Sequence, residues 1–363
     1  LERLAIGQWG VVVGYCLLPW VVTAAQSWRE DPRTGWPALT VTLGLSALWS
    51  PPAALMSVAT ALFVVAPARR WRPLAGTLGI AVLVNLPWLV PSLTSPVGLD
   101  AARGQFAGFA ARGESALGLV ASVASLGGIW KESVVPAERT TVLVILLAGV
   151  FTLVALAGLR RSPDLDRLTR LGLGWLALAS VLLTVVPAVP AMQDLLEDAA
   201  SGFAPMGLVR DSHRFLAPAA LVLVVGIGAA VGDVWRRARP GREALRVVAV
   251  LLVLWPALAL PSLAWGINGD LRPVYYPDEW SALRTTFPER TTVVLPWAGG
   301  YRGFPWNGRT ATLDPAPRFF PGEVLVDDRL YLQGRVLPSE GPLLASVADA
   351  LRAPDPAAAL AAL

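Results

Sequence analysis

Long runs of apolar residues without a charged side chain constrain this sequence more than any other feature. Hydrophobic residues make up 55% of the 363 residues and charged residues 15%, whereas a soluble domain has about 45–50% and about 25%. Because the apolar excess lies in separate runs of about 20 residues, each run can form a helix that crosses a bilayer. The sequence therefore predicts a polytopic membrane protein. It excludes a soluble enzyme, a disordered chain and a disulfide-stapled secreted module.

Six runs are predicted to cross the membrane as helices, and a seventh is open to two interpretations. The six are 5–25, 74–93, 140–160, 171–190, 215–235 and 246–265. The seventh, 37–66, is interrupted at Ser50-Pro51-Pro52, and proline removes a backbone donor and breaks a helix. It is either one kinked crossing or a pair of short helices that enter the membrane and return. The predicted fold class is an all-α membrane bundle of six to eight transmembrane or re-entrant helices over residues 1–265.

The positions of the arginines predict the orientation of this bundle. They crowd three short connections: Arg69, Arg70 and Arg72; Arg160, Arg161, Arg167 and Arg170; Arg236, Arg237, Arg239, Arg242 and Arg246. The positive-inside rule places these connections in the cytoplasm, so 94–139, 191–214 and everything after 265 are expected outside. The net charge of +4 is then an orientation signal, and no nucleic-acid partner is predicted. The side of Glu30 and Asp31 depends on the segment 37–66.

Residues 266–363 differ in composition from the membrane bundle. They hold four of the five tyrosines together with many prolines and mixed charges. Pro277-Asp278-Glu279 predicts the start of a helix, because proline and acidic residues favour a first turn. Residues 291–295 and 323–332 are predicted strands. We expect a small extracytoplasmic α/β domain here. Because the chain starts at Leu1 without a methionine and ends in an alanine-rich stretch, we expect a truncated piece of a longer protein.

The motif Arg210-Asp211-Ser212-His213-Arg214 is the most specific candidate site. It directly precedes the predicted span 215–235, and either Asp211 or Ser212 can cap that helix. A helix N-terminus that faces outward, with two arginines and a histidine beside it, suits a phosphate group. The motif therefore predicts that Arg210, Asp211, His213 and Arg214 bind the phosphate of a polyprenyl lipid. Alternatively, these charges end the helix at the membrane interface and pair with one another.

Two further groups of residues are candidates for contact with a glycan acceptor. In the outer loop 94–139 these are Trp130 and Lys131, which are alternatively an interface anchor and a solvated charge. In the tail they are Trp297, Tyr301, Trp306, Asn307 and Asp314. Aromatic rings stack on sugars and polar side chains bind hydroxyls, but a small domain also needs aromatic residues for its core.

Metal and transport chemistry find little support in the sequence. Cys16 and His213 are the only cysteine and histidine, so a Cys/His metal cluster cannot be built and no cofactor is predicted, although a divalent metal is left open. The predicted spans contain almost no ionisable residues, and coupled transporters usually need intramembrane acids or histidine. A lipid or polysaccharide transporter is therefore the third hypothesis.

Four stretches resemble a known family. They are 85–91 with Asn85-Leu86-Pro87-Trp88, Gly127-Gly128-Ile129-Trp130, 208–214, and Val294-Leu295-Pro296-Trp297. Together with the layout of the spans they resemble the GT-C-fold, polyprenyl-phosphate-dependent membrane glycosyltransferases, in particular the actinobacterial arabinofuranosyltransferase-like proteins. The resemblance implies a multi-pass protein of the bacterial plasma (inner) membrane. Its partners would be membrane lipid, a polyprenyl-phosphate sugar donor and an envelope glycan acceptor.

The resemblance also implies an inverting sugar transfer on the outer face. Such enzymes carry an acidic general base in the first outer loop, which we expect to precede Leu1. Glu30 and Asp31 are the candidates within the chain, and only if their loop lies outside. The leading hypothesis is a GT-C-like envelope glycosyltransferase, and the alternative is a non-catalytic membrane scaffold or assembly factor of envelope biogenesis.

Overall fold

The computed structural model describes residues 2–94, 104–269, 271–287, 290–332, 335–339 and 341–357. The chain divides into two compact units. The first comprises 1–94, 109–196 and 205–271, and the second comprises 95–108, 197–204 and 272–363. The described parts of 95–108 and 197–204, which the sequence assigns to outer loops of the membrane bundle, thus belong with the tail.

Helices account for the secondary structure described between residues 2 and 269. The described α-helices of residues 2–269 are α1 (Glu2–Ala5), α2 (Trp9–Glu30), α3 (Pro32–Trp49), α4 (Pro51–Val65), α5 (Trp71–Thr94), α6 (Gln105–Gly108), α7 (Gly118–Ala124), α8 (Val142–Arg161), α9 (Arg167–Val185), α10 (Pro190–Gly202), α11 (Ala217–Arg237), α12 (Ala244–Ala259) and α13 (Ala264–Gly269). The 3-10 helices of these residues are Ala66–Ala68, Glu132–Val134, Ala137–Thr140, Val186–Ala188, Ala204–Val209, Ser212–Leu216 and Pro261–Leu263.

Six helices within the described residues are long and apolar enough to cross a membrane. They are Trp9–Glu30, Pro51–Ala68, Trp71–Thr94, Val142–Arg161, Arg167–Ala188 and Ser212–Arg237. A helical membrane protein with several spans is therefore confirmed, and five of the six predicted spans have a counterpart among these helices.

The predicted span 246–265 is wrong in its extent. The helix here, α12, has only 16 residues and is shorter than the six spans. It ends because Leu260 leaves the helical region, with φ −132° and ψ 69°. Leu260 precedes Pro261, and proline disfavours the helical conformation of the residue before it.

The segment 37–66 falls in two helices, α3 and α4, so the single kinked crossing is wrong. The second interpretation is correct in the number of helices, but Pro51–Ala68 is long and apolar enough to cross a membrane rather than short. Between them Ser50 is extended, with φ −171° and ψ 150°, and its side chain accepts a hydrogen bond from the N–H of Ala53. Pro51 is tolerated because the first turn of a helix needs no N–H donor there. The Ser57 hydroxyl donates to the Ser46 hydroxyl over 2.8 Å, so α3 and α4 fold back on one another.

Glycines allow the helices of the first unit to approach closely. A Cβ atom at Gly14 of α2 would overlap Ala53 of α4, and one at Gly158 of α8 would overlap the carbonyl oxygen of Gly226 in α11. Small residues at helix contacts are typical of membrane bundles, where close backbone packing replaces the hydrophobic effect between helices. Around these contacts the largest buried apolar cluster includes Leu18, Leu39, Leu43, Met56, Val64, Leu173, Leu176, Phe215 and Val222.

Side-chain contacts between different helices identify the two ends of the helical bundle in the first unit. At one end the Arg29 guanidinium donates to Asp166 over 2.7 Å and to the carbonyl of Val64 over 3.0 Å. These residues adjoin the arginine-rich connections, and we call this the arginine-rich end. At the other end the Tyr15 hydroxyl donates to the carbonyl of Arg214 over 2.8 Å. This second end is called the His213 end.

The second unit combines short strands with helices. Its further elements are α14 (Asp278–Thr286), β1 (Thr292–Val293), β2 (Tyr301–Arg302), a 3-10 helix (Pro305–Asn307), β3 (Thr312–Leu313), α15 (Ala316–Phe319), β4 (Val324–Leu325), β5 (Leu330–Leu332), β6 (Arg335–Leu337) and α16 (Pro342–Ala350). The described strands form three pairs: β1 is parallel to β4, whereas β2 with β3 and β5 with β6 are antiparallel.

The predicted elements of the tail agree with the structure in part. The predicted helix is present as α14, with Asp278 and Glu279 in its first turn. The predicted strand 291–295 is shortened to β1, and 323–332 is divided into β4 and β5. Between β4 and β5, the Asp327 carboxylate accepts from the N–H groups of Gly299 and Arg329.

Candidate functional site

An ion pair between residues far apart in the sequence dominates the His213 end. The Arg3 guanidinium donates to both carboxylate oxygens of Asp211, over 2.6 and 2.9 Å. Arg214 donates to the same carboxylate over 2.9 Å. Asp211 and Arg3 are 2% and 5% exposed. A bidentate pair of this kind is a strong, charge-assisted interaction, and it joins α1 to the chain that enters α11.

The predicted helix cap at this position is wrong. Residues Ser212–Leu216 form a 3-10 turn before α11, and Asp211 makes no side-chain capping bond to it. The physical reason is that Arg3 and Arg214 already occupy the Asp211 carboxylate. The Ser212 hydroxyl donates instead to the carbonyl of Thr184 over 3.4 Å. The phosphate site predicted from this motif therefore has to rest on side chains and not on a free helix N-terminus.

His213 lies between the Arg3 ion pair and a second set of charges. The Arg3 guanidinium donates to Nδ1 of His213 over 2.7 Å. Because arginine can only donate, this contact requires Nδ1 to be the acceptor and assigns the proton of the neutral ring to Nε2. That nitrogen faces the carboxylate of Glu2 at 3.6 Å.

The second set of charges consists of Glu2, Glu114 and Arg139. Arg139 Nε donates to Glu114 over 2.7 Å and lies 3.6 Å from Glu2. Glu114 also accepts from the N–H of Gly128 over 2.5 Å, and the Arg139 guanidinium donates to the carbonyl of Ser125 over 3.1 Å. The described part of the predicted outer loop 94–139 is therefore folded around the ion pair of Glu114 with Arg139.

These residues form one buried charge cluster. We use this name for Glu2, Arg3, Glu114, Arg139, Asp211, His213 and Arg214. Three carboxylates face three guanidinium groups across a neutral imidazole, so the cluster is balanced when all three carboxylates are ionised. The pairing of Asp211 with Arg214 is the arrangement that the alternative interpretation of the motif expects.

Burial and charge act in opposite directions on two of the carboxylates. Burial, followed by the charge of Glu114, raises the pKa of Glu2 from 4.5 to about 7, although Arg139 and Arg3 act to lower it. Burial alone would also raise the pKa of Asp211, but the charges and hydrogen bonds of Arg3 and Arg214 hold it well below its usual range. Asp211 therefore stays ionised at neutral pH, and Glu2 is poised to exchange a proton.

Several donors in the cluster are buried without an acceptor. Among the described residues, no hydrogen-bond partner is present for Nε of Arg3, Nε of Arg214 and Nε2 of His213. A buried donor without a partner costs about 1–3 kcal/mol. All three belong to side chains that contact Asp211 or its arginine partner.

An aromatic bridge brings two further predicted residues together. The Arg210 guanidinium lies over the ring of Phe109, 5.4 Å from its centroid. Trp130 packs edge-on against the same ring, with centroids 4.8 Å apart. Arg210 and Trp130, which are 80 positions apart in the sequence, thus share one partner in space. Lys131 is half-buried, and this burial lowers its pKa.

Glu30 and Asp31 lie at the arginine-rich end. They directly follow Arg29, which is bound to Asp166 and to the carbonyl of Val64. The 22 residues of α2 separate this position from the buried charge cluster, which corresponds to about 33 Å of helix. If the arginine-rich connections are cytoplasmic, the condition under which Glu30 or Asp31 could serve as an outer base is not met.

The predicted tail residues serve mainly in local structure. Asp314 is 4% exposed, accepts from Arg302 over 2.9 Å and from the N–H of Ala316 over 3.0 Å. Asn307 closes its own turn by accepting from the N–H of Phe304 over 2.9 Å. Both side chains are therefore already engaged by the protein.

The three aromatic residues that are predicted to contact a glycan in the tail have different surroundings. Trp306 packs in an aromatic cluster made of Tyr276, Trp280, Phe287, Phe304, Trp306, Phe319 and Phe320. Tyr301 is 54% exposed. The indole N–H of Trp297 is buried and has no acceptor among the described residues. Of the predicted tail contacts, Tyr301 therefore has an exposed ring, and Trp297 has an indole N–H that no described residue accepts.

Sequence reasoning missed four of the seven residues of the cluster. Glu2, Arg3, Glu114 and Arg139 lie in the cluster, and Phe109 links Arg210 to Trp130. A partial signal existed, because Glu114 and Arg139 are opposite charges within the predicted outer loop and Glu2-Arg3 immediately precedes a span. Charge alone does not identify which of many partners a residue selects.

No family assignment supports or opposes these interpretations. A scan with protein-family models finds no match to the chain, and neither do searches of the curated proteins and of the solved structures. Within the described residues, no three His, Cys, Asp or Glu side chains converge as a candidate metal site. The functional argument therefore rests on the geometry at the His213 end.

Proposed function

We propose that the protein is a GT-C-like membrane glycosyltransferase that uses a polyprenyl-phosphate-linked sugar on the outer face of the bacterial plasma membrane for envelope glycan synthesis. The donor phosphate would bind beside the buried charge cluster, at Arg210, His213 and Arg214, with Arg3 as an additional donor. The acceptor glycan would contact Trp130 and Lys131.

The unpaired N–H donors at the His213 end are the observation that carries this proposal. Nε of Arg3, Nε of Arg214 and Nε2 of His213 are buried without acceptors, and a phosphate group presents several acceptor oxygens. Two guanidinium groups, those of Arg3 and Arg214, lie at the Asp211 carboxylate within 2.6–2.9 Å. Charge-assisted bonds from guanidinium to phosphate are the strongest hydrogen bonds available here.

The proposed arrangement suits the departure of a phosphate. In the transfer, an acceptor hydroxyl attacks the anomeric carbon, the bond from that carbon to the phosphate oxygen breaks, and a base takes the hydroxyl proton. Negative charge then develops on the leaving phosphate. Fixed guanidinium groups stabilise such charge without having to reorganise. The residues of this chain that take part are those that hold the phosphate.

A substitution of Arg210 tests the proposal most directly. Binding of methyl farnesyl phosphate, a short prenyl phosphodiester, is measured on the detergent-solubilised protein. Arg210→Ala removes one charge-assisted contact, and loss of about 1.5–3 kcal/mol corresponds to about tenfold to 100-fold weaker binding. Arg214→Ala is expected to weaken binding as well, together with some loss of stability, because Arg214 also pairs with Asp211.

Arg246→Ala is the matched control for this experiment. It removes the same charge from an exposed position in the third arginine-rich connection and is expected to bind like the unaltered protein. If Arg210→Ala and Arg214→Ala bind as tightly as Arg246→Ala, the phosphate site is excluded.

A non-catalytic scaffold of envelope biogenesis is the second candidate. One observation favours it: Glu114 and Asp211 at the His213 end are each engaged by an arginine at 2.6–2.9 Å, as in a structural tie. The scaffold hypothesis expects no binding of the phosphodiester by any variant. The same measurement therefore separates the two candidates.

A further inference from the structure

Glu2 differs from the other two carboxylates of the buried charge cluster. Asp211 accepts from Arg3 over 2.6 and 2.9 Å, and Glu114 accepts from Arg139 over 2.7 Å. The Glu2 oxygens lie 3.6 Å from Arg139 Nε and 3.6 Å from His213 Nε2, both beyond hydrogen-bond distance. Glu2 is nevertheless only 7% exposed.

Among the described residues, charged and titratable groups from four parts of the chain face Glu2, and the terminal amino group also acts to lower its pKa. These four side chains are Arg3 in its own helix α1, Glu114 in the outer loop, Arg139 in the 3-10 helix Ala137–Thr140, and His213 in the 3-10 helix Ser212–Leu216. Arg139 is already committed to Glu114, and Nε2 of His213 is too far from Glu2 to form a hydrogen bond. Glu2 is therefore the carboxylate of the cluster that is held least firmly in its ionised form.

Protonation of Glu2 changes the charge of the cluster. With Glu2 ionised, three carboxylates balance three guanidinium groups. With Glu2 protonated, one positive charge is left over in a site with little water around it, where electrostatic interactions are strong. An anion at the unpaired donors of Arg3, Arg214 and His213 would be attracted by this surplus.

We propose that Glu2 is a proton-linked gate on anion binding: it takes up one proton from solvent when a phosphate binds at the buried charge cluster and releases it when the phosphate leaves. This inference rests on the proposed phosphate site. It adds that an otherwise neutral cluster acquires its affinity for an anion by protonation. Burial and the neighbouring Glu114 raise the pKa of Glu2 to about 7, which puts the exchange near neutral pH.

The dependence of phosphate affinity on pH tests the gate. Methyl farnesyl phosphate is suitable as the probe because a phosphodiester keeps one negative charge between pH 5.5 and 8.5. If one proton is taken up on binding, linkage requires affinity to fall by up to about tenfold for each pH unit above neutrality. Glu2→Gln imitates the protonated form and is expected to bind with the low-pH affinity throughout. Asp194→Asn, at an exposed carboxylate of α10, is expected to keep the original profile.

A second variant keeps the test decisive if Glu2→Gln folds poorly. Glu114→Gln removes the charge that acts against ionisation of Glu2. The affinity transition is then expected to shift to lower pH. A transition that stays in place in Glu114→Gln, or that persists in Glu2→Gln, overturns the gate.

A measurement without ligand separates this inference from the proposed function. Because the pKa of Glu2 rises on folding, the folded state binds more protons between pH 4.5 and about 7, and stability must fall as pH rises through this window. Glu2→Gln is expected to remove that decline in the thermal unfolding temperature. If the decline is unchanged, Glu2 does not hold the proton and the gate fails. If the decline disappears but no variant binds phosphate at any pH, the proposed function fails instead.

Discussion

Asp211 illustrates how one side chain can have a different role from the one its local motif suggests. Within Arg210-Asp211-Ser212-His213-Arg214 it is a natural helix cap, but in the structure its carboxylate binds the guanidinium of Arg3. The two residues are 208 positions apart. Two guanidinium groups satisfy a buried carboxylate better than a single backbone N–H does, because each contributes opposite charge as well as a donor. The Asp211 carboxylate therefore holds in place Arg3 and Arg214, two of the residues proposed to bind phosphate.

Removing this carboxylate is expected to destabilise the protein strongly. Asp211→Asn leaves Arg3 buried without its counter-charge, and breaking one side of a buried pair costs about 3–5 kcal/mol. We expect a lower free energy of unfolding, measured by denaturant titration of the detergent-solubilised protein. Asp349→Asn is the control, because Asp349 and Arg352 form an exposed pair with side chains 77% and 62% accessible. Similar stability losses in the two variants would show that the Arg3–Asp211 pair is not a structural tie.

At the scale of elements, the approach of α8 to α11 is set by small residues. A Cβ atom at Gly226 would overlap the carbonyl oxygen of Ala155, and one at Gly158 would overlap the carbonyl oxygen of Gly226. The close contact fixes where α11 begins relative to α8, and the buried charge cluster lies directly before α11. Helix packing thus positions the candidate site, although none of these glycines touches it.

A methyl group at this contact is expected to force the two helices apart. Gly226→Ala would place its Cβ against backbone atoms of Ala155, and overpacking of this kind costs about 1–3 kcal/mol. Gly228→Ala, two residues further along α11, meets no atom within 4 Å and is expected to leave stability unchanged or slightly higher. The comparison is made by thermal unfolding in the same detergent. Equal unfolding temperatures for the two variants would mean that α8 and α11 are not in close backbone contact.

At the scale of the whole molecule, the first unit has chemically distinct ends. The ends of α2 and α4 and the start of α9 meet at Arg29, Asp166 and Val64, beside the arginine-rich connections. At the opposite end lies the buried charge cluster. In α2 the chain runs from the His213 end to the arginine-rich end, so Glu30 and Asp31 follow it there. Sidedness in the membrane is a prediction from the positive-inside rule.

Cysteine labelling in intact cells tests this sidedness. In a Cys16→Ser background, Glu132→Cys is expected to react with a membrane-impermeant maleimide added outside, because Glu132 is exposed in the predicted outer loop. Glu30→Cys and Asp164→Cys, at exposed positions of the arginine-rich end, are expected to react only after permeabilisation. Labelling of Glu30→Cys from outside together with Glu132→Cys would contradict the arrangement and reinstate Glu30 as a candidate outer base.

Prediction from sequence succeeded where the signal lies within one segment. The apolar runs predicted five of the six spans, and proline and acids predicted the start of α14. It failed where the outcome depends on a neighbour, as in the cap of α11. In the candidate site the residues from 210 to 214 were anticipated, whereas Glu2, Arg3, Glu114 and Arg139 were not.

The sequence by itself determined that this chain is a helical membrane protein with a compositionally distinct tail, because the length and apolarity of a span are properties of consecutive residues. Only the tertiary structure decided that 37–66 is two helices in contact, that Glu30 and Asp31 lie far from His213, and which arginine each buried carboxylate selects. The physical reason is that an ion pair forms according to distance and burial in space. Nothing in the sequence around Arg3 or Asp211 identifies the partner that each of them contacts in the folded protein.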